Sequence, residues 1–198
     1  MPRKTQFTAD DVVVTSYDMV RKNGWEGLSV TAVAKLMGCS TMPIYSHFDN
    51  LEVLKDEVVR KGWALIMDYE SKQYTGDAWV DQAIGYVLFA KKEKNLFICM
   101  FDGRNLKLQR TMLREHWSYL SRLLDDYEAF SGLDEKQCMR IRYSRGMLTH
   151  GVATSIVNGW GFLFEGHEVA SKNDEVLADY LTTASQVLLK GYKEVTTD

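Results

Sequence analysis

Apolar side chains recur at three- and four-residue intervals along most of the chain, and no Asn-Gly turn separates two alternating apolar/polar runs. Phe7-Thr8-Ala9-Asp10-Asp11-Val12 opens a first helix with Thr8 as cap and Asp11 at the third position. Val12, Val13, Tyr17 and Val20 continue it, and Gly24 ends it, which predicts a helix over 9–23. Ser29 caps a second, short helix carrying Val33, Ala34 and Leu36 or Met37 and stopping at Gly38. Ser40 caps a third that admits Pro43 in its first turn, buries Ile44 and Phe48, and turns Thr41, Met42, Tyr45 and Ser46 outward. Asp49 or Asn50 begins a longer fourth helix with Leu51, Leu54, Val58, Leu65 and Tyr69 in register. Further helices are expected near 77–92, 94–102, 104–130, 134–165 and 174–192, about nine in all. The only prolines are Pro2 and Pro43, so the fold class is all-α.

Composition narrows the class without naming a chemistry. The 198 residues, 45% hydrophobic and 26% charged, bury a real core. No stretch approaches the roughly 20 apolar residues of a membrane helix, and Met-Pro-Arg-Lys-Thr-Gln is unlike a secretory leader, so a cytoplasmic location is expected. Cys39, Cys99 and Cys138 are odd in number and widely spaced, and read as buried thiols rather than a disulfide framework. A net charge of −3 argues against an indiscriminate polyanion binder. Residues 1–64 balance eight Lys/Arg against eight Asp/Glu, which leaves the acidic excess downstream.

Two short helices joined by a Gly-containing turn and braced by a preceding helix match the physical design of a helix-turn-helix that places its second helix in the DNA major groove. With Gly24, Leu28-Ser29-Val30, Val33-Ala34, Gly38-Cys39-Ser40, Ile44-Tyr45, His47-Phe48 and Leu54, residues 9–56 resemble the signature of the tetracycline-repressor (TetR) family. The resemblance implies a DNA-binding domain over 1–50 and a ligand-binding and dimerisation domain over 51–198. It implies a homodimeric repressor that binds a palindromic operator and is released by a small-molecule effector. Thr41, Met42, Pro43 and Ser46 then sit where such proteins touch base edges, and Tyr45 and His47 where they touch phosphate or nearby bases. Ser29 and Thr31 sit where hydroxyls and free N–H groups meet the backbone, and Ser40 is a further DNA-binding candidate. Thr41 and Ser46 can hydrogen-bond several bases and Met42 or Pro43 can pack on a thymine methyl, but no Arg or Asn offers bidentate readout. The family usually has a lysine where this chain has Leu51. Lys55, Lys35 or the tail residues Arg3 and Lys4 are the replacements for that phosphate contact, and weaker or more salt-sensitive operator binding is expected.

Downstream, aromatics and methionines among scattered polar groups suit a pocket for a hydrophobic, mid-sized effector. Trp63, Met67, Phe89, Met100, Met112, His116, Trp117, Tyr119 and His150 are its candidate lining, although most such residues in a bundle are core. The stripe Ile141, Leu148, Val152, Ile156 and Leu163, and the stripe Leu177, Leu181, Ala184 and Leu188, either pair two chains as a four-helix interface or close the chain's own bundle. His116, His150 and His167, with Glu115, Glu165 and Glu168, lack the spacing of metal ligands on one helical face. No Gly-x-Ser-x-Gly, phosphate loop or dinucleotide fingerprint is present, so no metal, cofactor or catalysis is expected. The alternative is a dimeric small-molecule binding protein whose DNA affinity has weakened or been lost, suggested by Leu51 and the balanced N-terminal charge.

Overall fold

A computed structural model of the chain describes residues 7–159 and 173–195. These residues form nine α-helices and no strand: α1 (Ala9–Asn23), α2 (Val30–Met37), α3 (Met42–Tyr45), α4 (Leu51–Glu70), α5 (Ala78–Lys92), α6 (Lys94–Met100), α7 (Leu106–Arg122), α8 (Glu135–Val157) and α9 (Asp174–Val195). Single 3-10 turns occupy Trp25–Gly27 and Glu128–Phe130.

The helix boundaries follow local chemistry. Thr8 and Asp11 close a reciprocal capping box on α1, Thr8 Oγ accepting from the Asp11 amide at 3.2 Å and the Thr8 amide donating to Asp11 Oδ2 at 2.8 Å. Ser29 Oγ accepts from the Ala32 amide at 3.1 Å to start α2, and Gly38, in the left-handed region at φ 68°, ends it. Asn50, through the Val53 amide at 3.1 Å, starts α4. Ser40 does not cap α3: the helix starts one residue later, at Met42, and Thr41 precedes it in a helical conformation with no side-chain cap.

Packing divides the chain into two compact units. The first takes the chain to Leu65 together with Glu93–Arg114, and the second takes Ile66–Lys92 and the chain from Glu115 onward. α4 contributes to both units, and α6 belongs with the first. In the first unit α1 packs on α2 and α6, burying Val12, Tyr17, Val20, Leu28, Val33, Ile44, Phe48, Leu54, Leu96 and Met100. Burial of an apolar side chain of this size contributes about 1.5–3 kcal/mol each, against the entropy of ordering it. Cys99 is buried there, which pushes its thiol up to about 11; Cys39 and Cys138 are only half-buried, contrary to the expectation that all three are buried.

In the second unit α5 is the central element, packed on α8 and α9 with Trp79, Val80, Ala83, Ile84, Val87 and Phe89 buried. Ile141, Val152, Leu177 and Leu181 are also buried, so those positions of the two expected interface stripes close the chain's own bundle. The exposed apolar positions of α8 are instead Met139, Tyr143 and Met147, 52%, 59% and 53% exposed. The helix expected over 104–130 stops at Arg122, where Asp125 and Asp126 would otherwise add charge to the negative end of the helix dipole. The helix expected over 134–165 ends at Val157, with Gly159 at φ 70° as terminator. Arg3 and Lys4, residues 160–165 of that expected helix including Leu163 and Glu165, and His167 and Glu168 lie outside the described residues.

Candidate functional site

The helix-turn-helix side chains fall into three groups. Ile44 and Phe48 are buried and fix α3 against the core. Met42 and Tyr45 are 74% and 56% exposed, and being three residues apart they share one side of the turn. The polar candidates are partly engaged inside the unit. Ser46 Oγ donates to the Pro43 carbonyl at 2.7 Å, and His47 Nε2 lies 3.1 Å from the Phe7 carbonyl oxygen. Ser40 and Thr31 are exposed, Thr41 and Pro43 half-buried, and Ser29 uses its hydroxyl on the Ala32 amide.

Lys55, one of the candidates for the phosphate contact, is engaged within the unit. Its ammonium pairs with Glu52 at 2.8 Å and stands 5.6 Å from the centre of the Trp25 ring. The Arg104 guanidinium lies 4.8 Å from the same ring and also pairs with Glu52, while Trp25 Nε1 donates to Asp102 at 2.7 Å. The Lys55 hydrogen bond, helped by Arg104, holds the Glu52 carboxyl below its ordinary value. Trp25 thus sits between cations from α4 and from the turn after α6, within the first unit. Sequence reasoning missed Trp25, Glu52, Asp102 and Arg104, because the partners of this cluster lie 52 and 77 positions apart and leave no periodic signal.

The candidate effector residues do not form a single set. Trp63, Met100 and Met112 belong to the first unit and are buried there, Trp63 stacking edge-on against Phe101 at 5.5 Å. Met67, Phe89, His116, Trp117, Tyr119 and His150 belong to the second. There His116 Nε2 lies 2.5 Å from Glu70 Oε2, and the Tyr86 hydroxyl bonds His150 Nδ1 at 2.7 Å. The Tyr86 ring is 6.5 Å from His116 and 6.1 Å from His150. Tyr119 donates to the Met67 carbonyl at 3.3 Å, and Phe89 packs edge-on against Tyr69; Trp117 is half-buried.

Burial sets the electrostatics of this cluster. Desolvation raises the Glu70 carboxyl, opposed by His116 and Arg145, and burial raises the Tyr86 phenol well above its ordinary value. Burial also lowers His150, which favours its neutral form beside the Tyr86 hydroxyl. Arg145, pushed down by burial to about 10, stays cationic at neutral pH; it donates to the Trp79 carbonyl and, at 2.8 Å, to Gln82 Oε1. Its guanidinium stacks 3.8 Å from the Trp79 ring. Glu70, Tyr86 and Arg145 were not among the expected residues; each sits in a helical pattern as an ordinary polar position, and only folding brings them to His116 and His150. Hydrogen-bonding groups held inside an apolar bundle can orient a ligand's polar groups. Among the described residues no group of three or more His, Cys, Asp or Glu could hold a metal ion, and no helix is long and apolar enough to cross a membrane.

No protein-family profile and no curated protein sequence matches the chain. Solved structures do. A protein of unknown function from Rhodococcus sp. RHA1 is 20% identical, with a TM-score of 0.68 over 96% of this chain and 98% of that one. A protein from Rhodococcus sp. named as a TetR-family transcriptional regulator is 16% identical, with a TM-score of 0.61 over 91% and 98%. Another so named, from Vibrio parahaemolyticus, is 15% identical, with a TM-score of 0.53 over 86% and 96%. With a helix-turn-helix followed by a helical bundle, and matched over nearly their whole length to proteins of that name, the chain has the fold of the TetR-family transcriptional regulators.

Proposed function

We propose that the protein is a sequence-specific DNA-binding transcription regulator, a homodimeric cytoplasmic repressor that leaves a palindromic operator when a small molecule binds. The observation that carries this reading is the α2–turn–α3 unit. Gly38 takes the left-handed turn, Ile44 and Phe48 anchor the second helix, and Met42 and Tyr45 are held outward in a chain whose fold is that of named regulators.

One short recognition helix makes too few contacts to select a site from a genome, so two copies must act together. Met139, Tyr143 and Met147, spaced four apart along α8, are the surface for that pairing, with Val187 exposed on α9. The second-unit cluster of Glu70, Tyr86, His116, Tyr119 and His150 is the place for the effector's polar groups, with Met67 and Phe89 beside it. An effector acts by preferring one position of α4 and moving two recognition helices away from the roughly 34–36 Å spacing of successive major grooves.

The test is selection from a random duplex pool with the purified, folded protein at moderate salt. A two-fold symmetric motif is expected. No enrichment from a confirmed dimer would instead support the second reading, a ligand-binding protein that has lost its operator. Leu51 at the usual lysine position and the pairing of Lys55 with Glu52 are the observations that favour it.

A further inference from the structure

We propose that this helix-turn-helix recognises its operator chiefly through thymine methyl groups, with Met42 and Tyr45 as the specificity-determining side chains. The inference rests on the regulator reading above and names the bases that reading leaves open.

From Cys39 to Phe48 the chain is Cys-Ser-Thr-Met-Pro-Ile-Tyr-Ser-His-Phe, without an Arg, Lys, Asn or Gln. The bidentate contacts that read guanine O6/N7 or adenine N6/N7 are therefore absent from the recognition turn. The structure engages part of the remaining polar groups. The Ser46 proton is used on the Pro43 carbonyl, which leaves its oxygen only as an acceptor. A nitrogen of the His47 ring is used on the Phe7 carbonyl, and Thr41 is half-buried where the helix begins.

A thioether chain and a phenol ring face outward on one side of a single turn, beside the exposed Ser40, Ser46 and His47. Ile44 and Phe48 hold the opposite side in the core, so neither outward residue is needed there. Single exposed apolar side chains are ordinary on protein surfaces. Here, Met42 and Tyr45 are the two large apolar surfaces presented by the turn, beside the exposed Ser40, Ser46 and His47, the last two of which already spend one hydrogen-bonding group each within the unit. In the major groove the one apolar feature on a base edge is the thymine methyl, and an unbranched methionine can follow it closely. The Tyr45 hydroxyl makes no hydrogen bond to the described residues and remains available to a phosphate or base while its ring packs.

The experiment uses the full chain and the duplex enriched from a random pool. Each thymine of the motif is replaced in turn by uracil, which removes only the methyl group, and affinity is measured for the wild type, Met42→Ala and Tyr45→Ala. Circular dichroism confirms that the variants fold; both positions are exposed. At two or more positions per half-site the wild type should bind the uracil duplex about fourfold more weakly, the effect of one buried methyl-sized group. That loss should vanish at one position in Met42→Ala and at another in Tyr45→Ala, while replacing motif guanines by 7-deazaguanine changes little. Equal binding of thymine and uracil duplexes, or a 7-deazaguanine loss larger than any uracil loss, overturns the proposal and leaves the regulator reading intact. A pool that yields no motif overturns both.

Discussion

Gly85 shows how closely a single residue can constrain this fold. A Cβ built on it would stand 2.3 Å from the Tyr69 carbonyl oxygen and 2.7 Å from Glu70 Cα, so α5 crosses the end of α4 where only a hydrogen fits. Gly62 is also crowded, but by the Met100 sulfur at 2.6 Å, the end of a flexible side chain. Gly85→Ala should therefore destabilise by about 3 kcal/mol, the upper end for overpacking, and Gly62→Ala by clearly less, about 1 kcal/mol. Urea unfolding at constant slope would compare them, and equal midpoints would contradict the argument. His150 carries a second prediction. Its folded pKa lies below the 6.5 of a free imidazole, so the unfolded chain takes up the proton first and stability falls as pH drops through about 6.5. Glu70, raised by burial, works in the opposite sense: its folded form holds a proton longer, and its contribution falls as pH rises from about 4.5. Comparing wild type with His150→Gln isolates the first effect, and their stability difference should shift toward the variant as pH falls from 7 to 5. A difference that stays constant would mean that His150 does not titrate with unfolding.

Among the elements, the turn after α6 is tied to the turn between α1 and α2 by Trp25. Trp25→Phe keeps an aromatic ring but removes the indole N–H that donates to Asp102, which should cost about 1 kcal/mol in thermal or urea unfolding. Because Lys55 faces Glu52 and Trp25, Lys55→Ala should change operator affinity little, whereas a free phosphate contact would be lost measurably. On α8 the exposed positions recur at four-residue spacing, so one charge at their centre is the sharpest probe of pairing. Tyr143→Asp should leave the helical fold intact and shift the protein to monomer in sedimentation, and an unchanged dimer would move the interface elsewhere.

For the molecule as a whole, the charge near the recognition turn is read through the salt response of the proposed operator binding. The slope of affinity against salt counts the phosphates neutralised, so a missing lysine makes binding weaker and less salt-sensitive, against the expectation of greater sensitivity drawn from Leu51. Leu51→Lys should strengthen operator binding at low salt and steepen the logarithmic slope by about 0.9 for each further phosphate it neutralises. The change would be read from operator titrations between low and moderate salt, and an unaltered slope would place residue 51 away from the DNA.

Helix existence, order and most starting points were legible in the sequence because their causes are local. The Thr8–Asp11 box, the Ser29 and Asn50 caps and the Gly38 terminator all act within about four residues, and the hydrophobic spacing of α1 and α4 repeats at the helical period. Asn158-Gly159, just past the end of α8, is a local stop signal as well, but apolar residues continue at helical spacing on both sides of it in the sequence. The recognition turn was legible as a spacing of anchors, Gly38, Ile44 and Phe48. Which hydrogen-bonding groups of its polar side chains are engaged was not, since the Ser46 bond to Pro43 depends on the rotamer taken and the His47 partner, Phe7, lies 40 positions away. Tertiary structure alone decided that Ile141, Val152, Leu177 and Leu181 face the chain's own core, because a helix with apolar residues on more than one face does not encode which face is covered first. It alone brought Glu70 to His116 across 46 positions and Trp25 to Asp102 across 77, because contacts between distant segments are set by how helices pack and not by the period along any one of them.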